Sequence, residues 1–288
     1  MRVLSFGEVL WDVYPDKAYI GGAPFNFAAH LAKHGEEVYL LSAVGDDSLG
    51  EDTRKAIKLF GISDEYVSEV ISKKTGQCLV TLDERSVPSY NLLNDVSYDY
   101  ISCDRVVGEF DLLYFGTLAL RSRYNLSALK TLLSKKHFAD IFVDVNIRAP
   151  HYSKENVLFA ISNATILKIS DEELGIVAEQ VNLESNDLKK FVCGLSERFS
   201  NLRCIIITLG SKGVYAFLPE NKTEEQCDSE KVNVASTVGA GDSFSAAFVH
   251  KFNKGNTLKE CLKYASRVAG FVVSNPEAVP DYNIIDFE

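Results

Sequence analysis

From Leu112 onward the chain alternates between short apolar runs and stretches whose apolar residues recur at helical spacing. Leu112 to Gly116 predicts a strand, Leu126 to Leu133 a helix, Ile141 to Val145 a strand, Lys154 to Ala160 a helix and Ile166 to Ile169 a strand. Ile205 to Leu209 then runs into a glycine turn, and Val214 to Phe217 returns. The first third begins the same way. A strand over Arg2 to Phe6 precedes a helix through Ala28, Ala29 and Leu31 to Gly35. Val38 to Val44 predicts the next strand, and Glu51 to Phe60 a helix stopped by Gly61. Parallel strands need long crossovers, and helices supply them while covering both faces of the sheet. The expected fold class is therefore α/β, with a mostly parallel central sheet and helices on both faces. Hydrophobic residues are 46% of the 288, enough for a sizeable core. No repeat or linker divides it, so residues 1–288 are expected to form a single domain.

One stretch breaks the rhythm. Between Thr75 and Tyr100, Gln77 to Leu82 and Ser89 to Leu92 both look like strands, with Pro88 between them and no helix. That predicts antiparallel material, a small β-sheet inserted into the domain.

Charge and cysteine usage narrow the function. A net charge of −10 without any Lys/Arg block argues against a nucleic-acid partner. The six cysteines are scattered without a C-x-x-C pair, and Cys204 lies inside an apolar run. This pattern predicts reduced thiols in a cytoplasmic protein. No apolar run is long enough to span a membrane, and none resembles a signal peptide. His30 and His34 lie one helical turn apart but lack a third ligand or an H-E-x-x-H glutamate. His34 is instead expected to interact with the helix end ahead of Gly35.

The most informative string is Ser236-Thr237-Val238-Gly239-Ala240-Gly241-Asp242-Ser243-Phe244. The apolar alternation Val232, Val234 precedes it, and Phe244, Ala247, Phe248 and Phe252 follow at offsets 0, 3, 4 and 8, one buried helical face. This is a loop turning into a helix. Two glycines free the backbone to aim consecutive N–H groups at one point, and the helix dipole makes that point attractive to an anion. A carboxylate there would repel a resting phosphate. Asp242 either caps the helix or acts as a general base for a hydroxyl that attacks phosphorus. The string is not a dinucleotide fingerprint, because Phe244 occupies the third glycine position, and the chain has no Walker A loop.

T-V-G-A-G-D-S-F resembles the signature of the ribokinase-like (PfkB) carbohydrate kinases, whose usual form is D-T-x-G-A-G-D. The resemblance implies a ribokinase-like fold with a β-sheet lid, here at about residues 12–24 and 75–100. It makes Gly239, Ala240 and Gly241 an anion hole and Asp242 the base. It also implies ATP and Mg²⁺. Ser236 stands where many members carry an aspartate that helps hold a monovalent cation, so K⁺ dependence is left open. Gly21-Gly22-Ala23-Pro24-Phe25-Asn26 together with Asp12 resembles the family's sugar-binding motif, which would have Asp12, Gly22 and Asn26 bind hydroxyls. Asp144-Val145-Asn146-Ile147-Arg148 resembles D-x-N-x-R of the fructokinase-like branch, so Arg148 joins the substrate site. In the family's N-x-x-E motif, Glu173 matches the glutamate with an indirect role toward the metal, while Ser170 replaces the asparagine. The nucleotide is expected near Lys168, Thr208, Gly210, Lys212 and Gly213.

These readings imply a kinase that transfers phosphoryl from ATP to a sugar's primary hydroxyl, fructose first. Ribose, a keto-deoxy sugar acid, a nucleoside or a sugar phosphate are alternative acceptors. Lys73, Lys74 and Arg85 in the lid stretch would serve a phosphorylated one. A non-catalytic sugar sensor on the same scaffold is the alternative of another class. An exposed lid edge would also suit a homodimer.

Overall fold

The computed structural model describes residues 1–82 and 88–287. In chain order the strands are β1 Arg2–Phe6, β2 Leu10–Val13, β3 Ala18–Gly21, β4 Glu37–Gly45, β5 Val67–Val70, β6 Gly76–Leu82 and β7 Pro88–Leu92. They continue as β8 Phe110–Phe115, β9 Phe138–Asp144, β10 Ile166–Ser170, β11 Cys204–Thr208, β12 Val214–Leu218 and β13 Thr223–Cys227. The helices are α1 Ala23–Lys33, α2 Ser48–Leu59, α3 Arg123–Lys135, α4 Lys154–Asn163, α5 Asp171–Val181, α6 Leu188–Arg198, α7 Ala240–Asn253 and α8 Leu258–Val273.

Among the described residues, nine strands form the main sheet in the order β13-β12-β11-β10-β9-β8-β1-β4-β5. Every pairing from β11 to β5 is parallel, and only the β11–β12 and β12–β13 pairings are antiparallel, so β12 alone runs against the rest of the described sheet. The chain builds outward from β1 through β4 to β5, then returns to β8 on the other side of β1 and builds outward again. Strand order therefore reverses between β1 and β8, and in open α/β sheets the crevice at the strands' carboxyl ends opens there. Each strand in the middle is apolar on both faces, which splits the core in two. Leu4, Phe6, Val143 and Ile169 pack with α3, α4, α5 and α6, while Val3, Phe142 and Ile206 pack with α1, α2, α7 and α8.

The second sheet has the order β3-β2-β6-β7. The expected antiparallel return is β6 with β7, but β2 and β6 run parallel, so this sheet is mixed. It is also shorter than the 12–24 and 75–100 stretches expected. Residues from Ala23 onward already belong to α1, and past Leu92 the chain leaves the sheet, with Val96 and Tyr98 buried against Leu10 and Cys78 and Ser97 Oγ donating to the Ala43 carbonyl of β4. Tyr98 packs so closely under Gly76 that a Cβ there would lie 2.5 Å from its ring. Two polar ties fasten the smaller sheet. Trp11 Nε1 donates to Thr53 Oγ1 of α2 at 2.8 Å. Asp47, which caps α2 through the Gly50 amide, also accepts from the Thr75 amide and hydroxyl beside the start of β6.

Candidate active site

The two sheets enclose a cleft of about 1800 Å³ that runs from the smaller sheet across the end of the main one. Single-ligand pockets usually occupy ~300–1,000 Å³. This volume accommodates two substrates. No helix among the described residues is long and apolar enough to cross a membrane.

Helix α7 begins in the middle of the cleft. Its N-cap, Gly239, is in the left-handed region at φ 80°. A Cβ there would also lie 2.3 Å from the Ala278 carbonyl, so glycine is demanded by both backbone and space. Gly241 faces Lys168, whose Nζ would lie 3.1 Å from an added Cβ. The first-turn amides of a helix have no intrahelical acceptor, so those of the Gly239 to Asp242 stretch are the natural donors to an anion.

Asp242 sits in that first turn, partly exposed to the cleft. Asn26, one turn into α1, donates Nδ2 to Asp242 Oδ2 at 2.8 Å. Burial, and then the charge of Asp144, push the Asp242 carboxyl up to about 6, against the opposing pull of Asn26, Lys168 and Arg148. That value suits a group that must hold a proton briefly near neutral pH.

Asp144 ends β9, and the parallel register places it directly beside Lys168 of β10. Both side chains leave the sheet on the α7 side, where Lys168 Nζ meets Asp144 Oδ2 at 2.6 Å and Ser245 Oγ reaches the same oxygen at 3.4 Å. Both members of the pair are buried. Burial alone would lower the Lys168 pKa, but Asp144 more than offsets it and holds the ammonium charged. Lys168 thus stands at the anion loop, a buried cation facing Gly241.

Glu173 bridges two loops. One oxygen accepts the Ser170 amide at 2.8 Å, and the other accepts the Ile147 amide. The second bond ties the loop carrying Asn146 and Arg148 to the start of α5. Burial and Asp144 raise the Glu173 pKa. Each Glu173 oxygen thus accepts one amide, and the residue ties Arg148's loop to α5.

The remaining expected residues divide. Asp12, on β2, lines the cleft and stands directly opposite Cys78 in the β2–β6 pairing. Gly22 is the N-cap of α1 at φ 105°, and a Cβ there would lie 2.6 Å from the Glu8 carbonyl. Arg148, Thr208, Gly210 and Gly213 all line the cleft, and so does Ser236. Lys212 does not, because the turn presents Gly210, Ser211 and Gly213 to the cleft instead. Lys73 is spent in an ion pair with Asp95 at 2.6 Å. Neither Lys73 nor Lys74 lines the cleft, and Arg85 lies outside the described residues. Val232 and Val234 form no strand and are exposed in the loop leading to Gly239. His30 is engaged at both ring nitrogens, by the Tyr282 hydroxyl and the Ala278 carbonyl. His34 Nδ1 bonds the His30 carbonyl at the end of α1.

Sequence reasoning passed over Glu8, which the fold buries in this cleft two residues after β1.

An α/β sheet with a crevice at its switch point, roofed by a small sheet and floored by a glycine turn with a carboxylate, is the frame of a phosphoryl-transfer enzyme. The chain belongs to the pfkB family of carbohydrate kinases, whose family model matches residues 6–283. It is similar to fructokinase-2 of Oryza sativa subsp. japonica, with 25% identity over 96% of this chain and 90% of the relative. It is also similar to an ATP-dependent 6-phosphofructokinase of Thermoanaerobacterium thermosaccharolyticum, with 26% identity over 99% and 91%. Among solved structures, a sugar kinase from Pyrococcus horikoshii in complex with ATP superposes with a TM-score of 0.82, at 24% identity over 99% of this chain and 96% of that one. The protein is a carbohydrate kinase with the ribokinase-like fold.

Proposed function

We propose that the chain transfers the γ-phosphoryl group of ATP to the primary hydroxyl of a neutral sugar, fructose giving fructose 6-phosphate. The observation that carries this reading is the Asp242 carboxylate, held by Asn26 in the first turn of α7 beside the Gly239–Gly241 amides. In this reading the acceptor lies between Asp12, Asn26 and Asp242, and Gly22 lets the chain approach it closely. ATP lies along Thr208 to Gly213 with its phosphates toward Gly241. Asp242 takes the hydroxyl proton as the sugar oxygen bonds to the γ-phosphorus, and the bond from that phosphorus to the bridging oxygen of ADP breaks. The loop amides, Lys168 and Arg148 meet the charge that develops on the transferred group.

The donor set suits a Mg²⁺ ion that arrives on the triphosphate. Among the described residues no three His, Cys, Asp or Glu side chains converge on one point. Each Glu173 oxygen already accepts a backbone amide. Magnesium commonly binds through one or two carboxylates, waters and substrate phosphates, and Asp144, in the cleft lining beside Lys168, is one carboxylate that could join it. When bound, the ion would neutralise charge on the phosphates.

Carboxylates crowd the acceptor end, where Glu8, Asp12 and Asp242 line the cleft and Arg148 is the cation that acts on all three by charge. This balance favours a neutral acceptor over a phosphorylated one. The kinship with a 6-phosphofructokinase makes fructose 6-phosphate the rival to test. Purified protein should be assayed by coupled ADP release with fructose, ribose, a keto-deoxy sugar acid, a nucleoside and fructose 6-phosphate. Fructose is expected to give the highest kcat/KM. A higher value for fructose 6-phosphate would overturn the acceptor, and sugar binding without ADP release would overturn the reaction. The open edges of the smaller sheet, β3 and β7, suit pairing of two copies.

A further inference from the structure

One buried carboxylate in the cleft has no task in that reaction. Glu8 follows β1 at the point where strand order reverses, and it is 2% exposed. Its carboxylate sits where a cap for α1 would, and its own amide and that of Ala23, the first residue of α1, draw its pKa down against burial. Gly22, the N-cap, has no side chain to serve that end. The Glu8 Oε2 is buried in the cleft lining with no hydrogen-bond partner among the described residues. Leaving a buried carboxylate oxygen unpaired is costly, and sites that bear the cost are commonly ones a ligand completes.

The groups around it restrict that ligand. Asp242 and Arg148 act on Glu8 by charge, and Tyr98, Tyr114 and Arg121 feel it in turn. Burial and then Asp242 push the Glu8 carboxyl up to about 7. A phosphate or carboxylate beside it would face Glu8, Asp12 and Asp242 together. A hydroxyl can donate to the ionised form and accept from the neutral one.

We propose that Glu8 is a specificity-determining residue of the acceptor site, its Oε2 hydrogen-bonding a second hydroxyl of a neutral polyol next to the one Asp242 deprotonates. This rests on the acceptor reading above. It differs from a purely capping role, in which Glu8 would affect stability and no substrate hydroxyl in particular.

The test couples one side chain to one hydroxyl. Wild type, Glu8→Gln and Glu8→Ala are assayed with fructose, its monodeoxy analogues and fructose 6-phosphate, and their Tm values are measured. In wild type, deleting one hydroxyl other than the phosphorylated one should lower kcat/KM on the order of 10–100-fold. In Glu8→Ala the same deletion should cost little more, with KM for ATP unchanged. Glu8→Gln, whose amide can still reach the hydroxyl, should show a reduced penalty and carries the comparison if Glu8→Ala fails to fold. Equal deoxy penalties in wild type and variants, or a change in Tm alone, would overturn the proposal. A wild type that rejects fructose and uses fructose 6-phosphate defeats the acceptor reading separately. The Glu8 coupling is then read on the deoxy analogues of that phosphate, where its absence rejects the contact and its presence upholds it.

Discussion

Asp242 is asked to be ionised before the chemical step and protonated during it, and its surroundings make both states accessible. Burial and Asp144 raise its pKa to about 6, so the rate with saturating substrates should fall as pH drops through that value. Asp242→Asn should lower kcat by ~10²–10⁴-fold. The same shift has a consequence for stability. A carboxyl whose folded pKa lies above its unfolded 3.8 contributes stability that is fully present below 3.8 and is lost as pH rises through about 6. Above pH 6 the ionised group is a burden that asparagine does not carry. Asp242→Asn should therefore melt at a higher temperature than wild type at pH 8, and the difference should shrink toward pH 4. Retained turnover, or a variant destabilised equally at both pH values, would contradict this account.

At the scale of elements, how much could be read in advance depended on whether side-chain pattern or long-range contact decides the structure. Helix α7 was readable because Phe244, Ala247, Phe248 and Phe252 mark its buried face, and the glycine turn before it forces a loop. Strands β8 to β12 were readable as apolar runs, since strands covered on both faces carry no alternation to confuse. Thr223–Cys227, which pairs with β12 as an edge strand, is polar up to Cys227 and gave no signal. The pairing of β2 with β6 joins segments over 60 residues apart and no local pattern encodes it. The site divided in the same way. Asp242, Asn26 and Arg148 were nameable from motifs, whereas Lys168 beside Asp144 follows from strand register and Glu8's orphaned oxygen from burial. Asp47 is a residue of this second kind, joining α2 to the start of β6. Burial alone would raise its pKa, but the Thr75 hydroxyl and amide and the Gly50 amide together hold it below the usual range. Asp47→Ala should lower Tm by about 2–5 °C at neutral pH, since it removes a cap typically worth ~1 kcal/mol as well as the Thr75 bonds. A depressed carboxylate contributes stability above its unfolded value of 3.8 and loses it as pH falls through the folded one. The Tm gap should therefore close in acid. A gap that persisted at low pH would assign the loss to packing instead.

Across the whole molecule the two substrates draw on different parts of the fold. The residues assigned to the nucleotide, Thr208, Gly210 and Gly213, all come from the main sheet and its turns. Those assigned to the acceptor come from both bodies, with Asp12 on β2 and Asn26 and Asp242 on α1 and α7. Acceptor binding should then depend on how firmly the smaller sheet is held against the main one, while nucleotide binding should not. Trp11 offers a way to loosen that attachment without entering the chemistry, because its Nε1 donates to the buried Thr53 Oγ1 on α2 at 2.8 Å. Trp11→Phe deletes the donor and keeps an aromatic ring. A neutral hydrogen bond of this kind is worth ~0.5–1.5 kcal/mol, so the KM for sugar should rise roughly 2–10-fold. The Kd for ADP, measured by calorimetry without sugar, should stay at the wild-type value. A smaller sheet that merely decorated the fold would leave both constants alone. A single rigid body holding both ligands would move them together. Only an acceptor gripped between two separately anchored sheets shifts the sugar constant by itself.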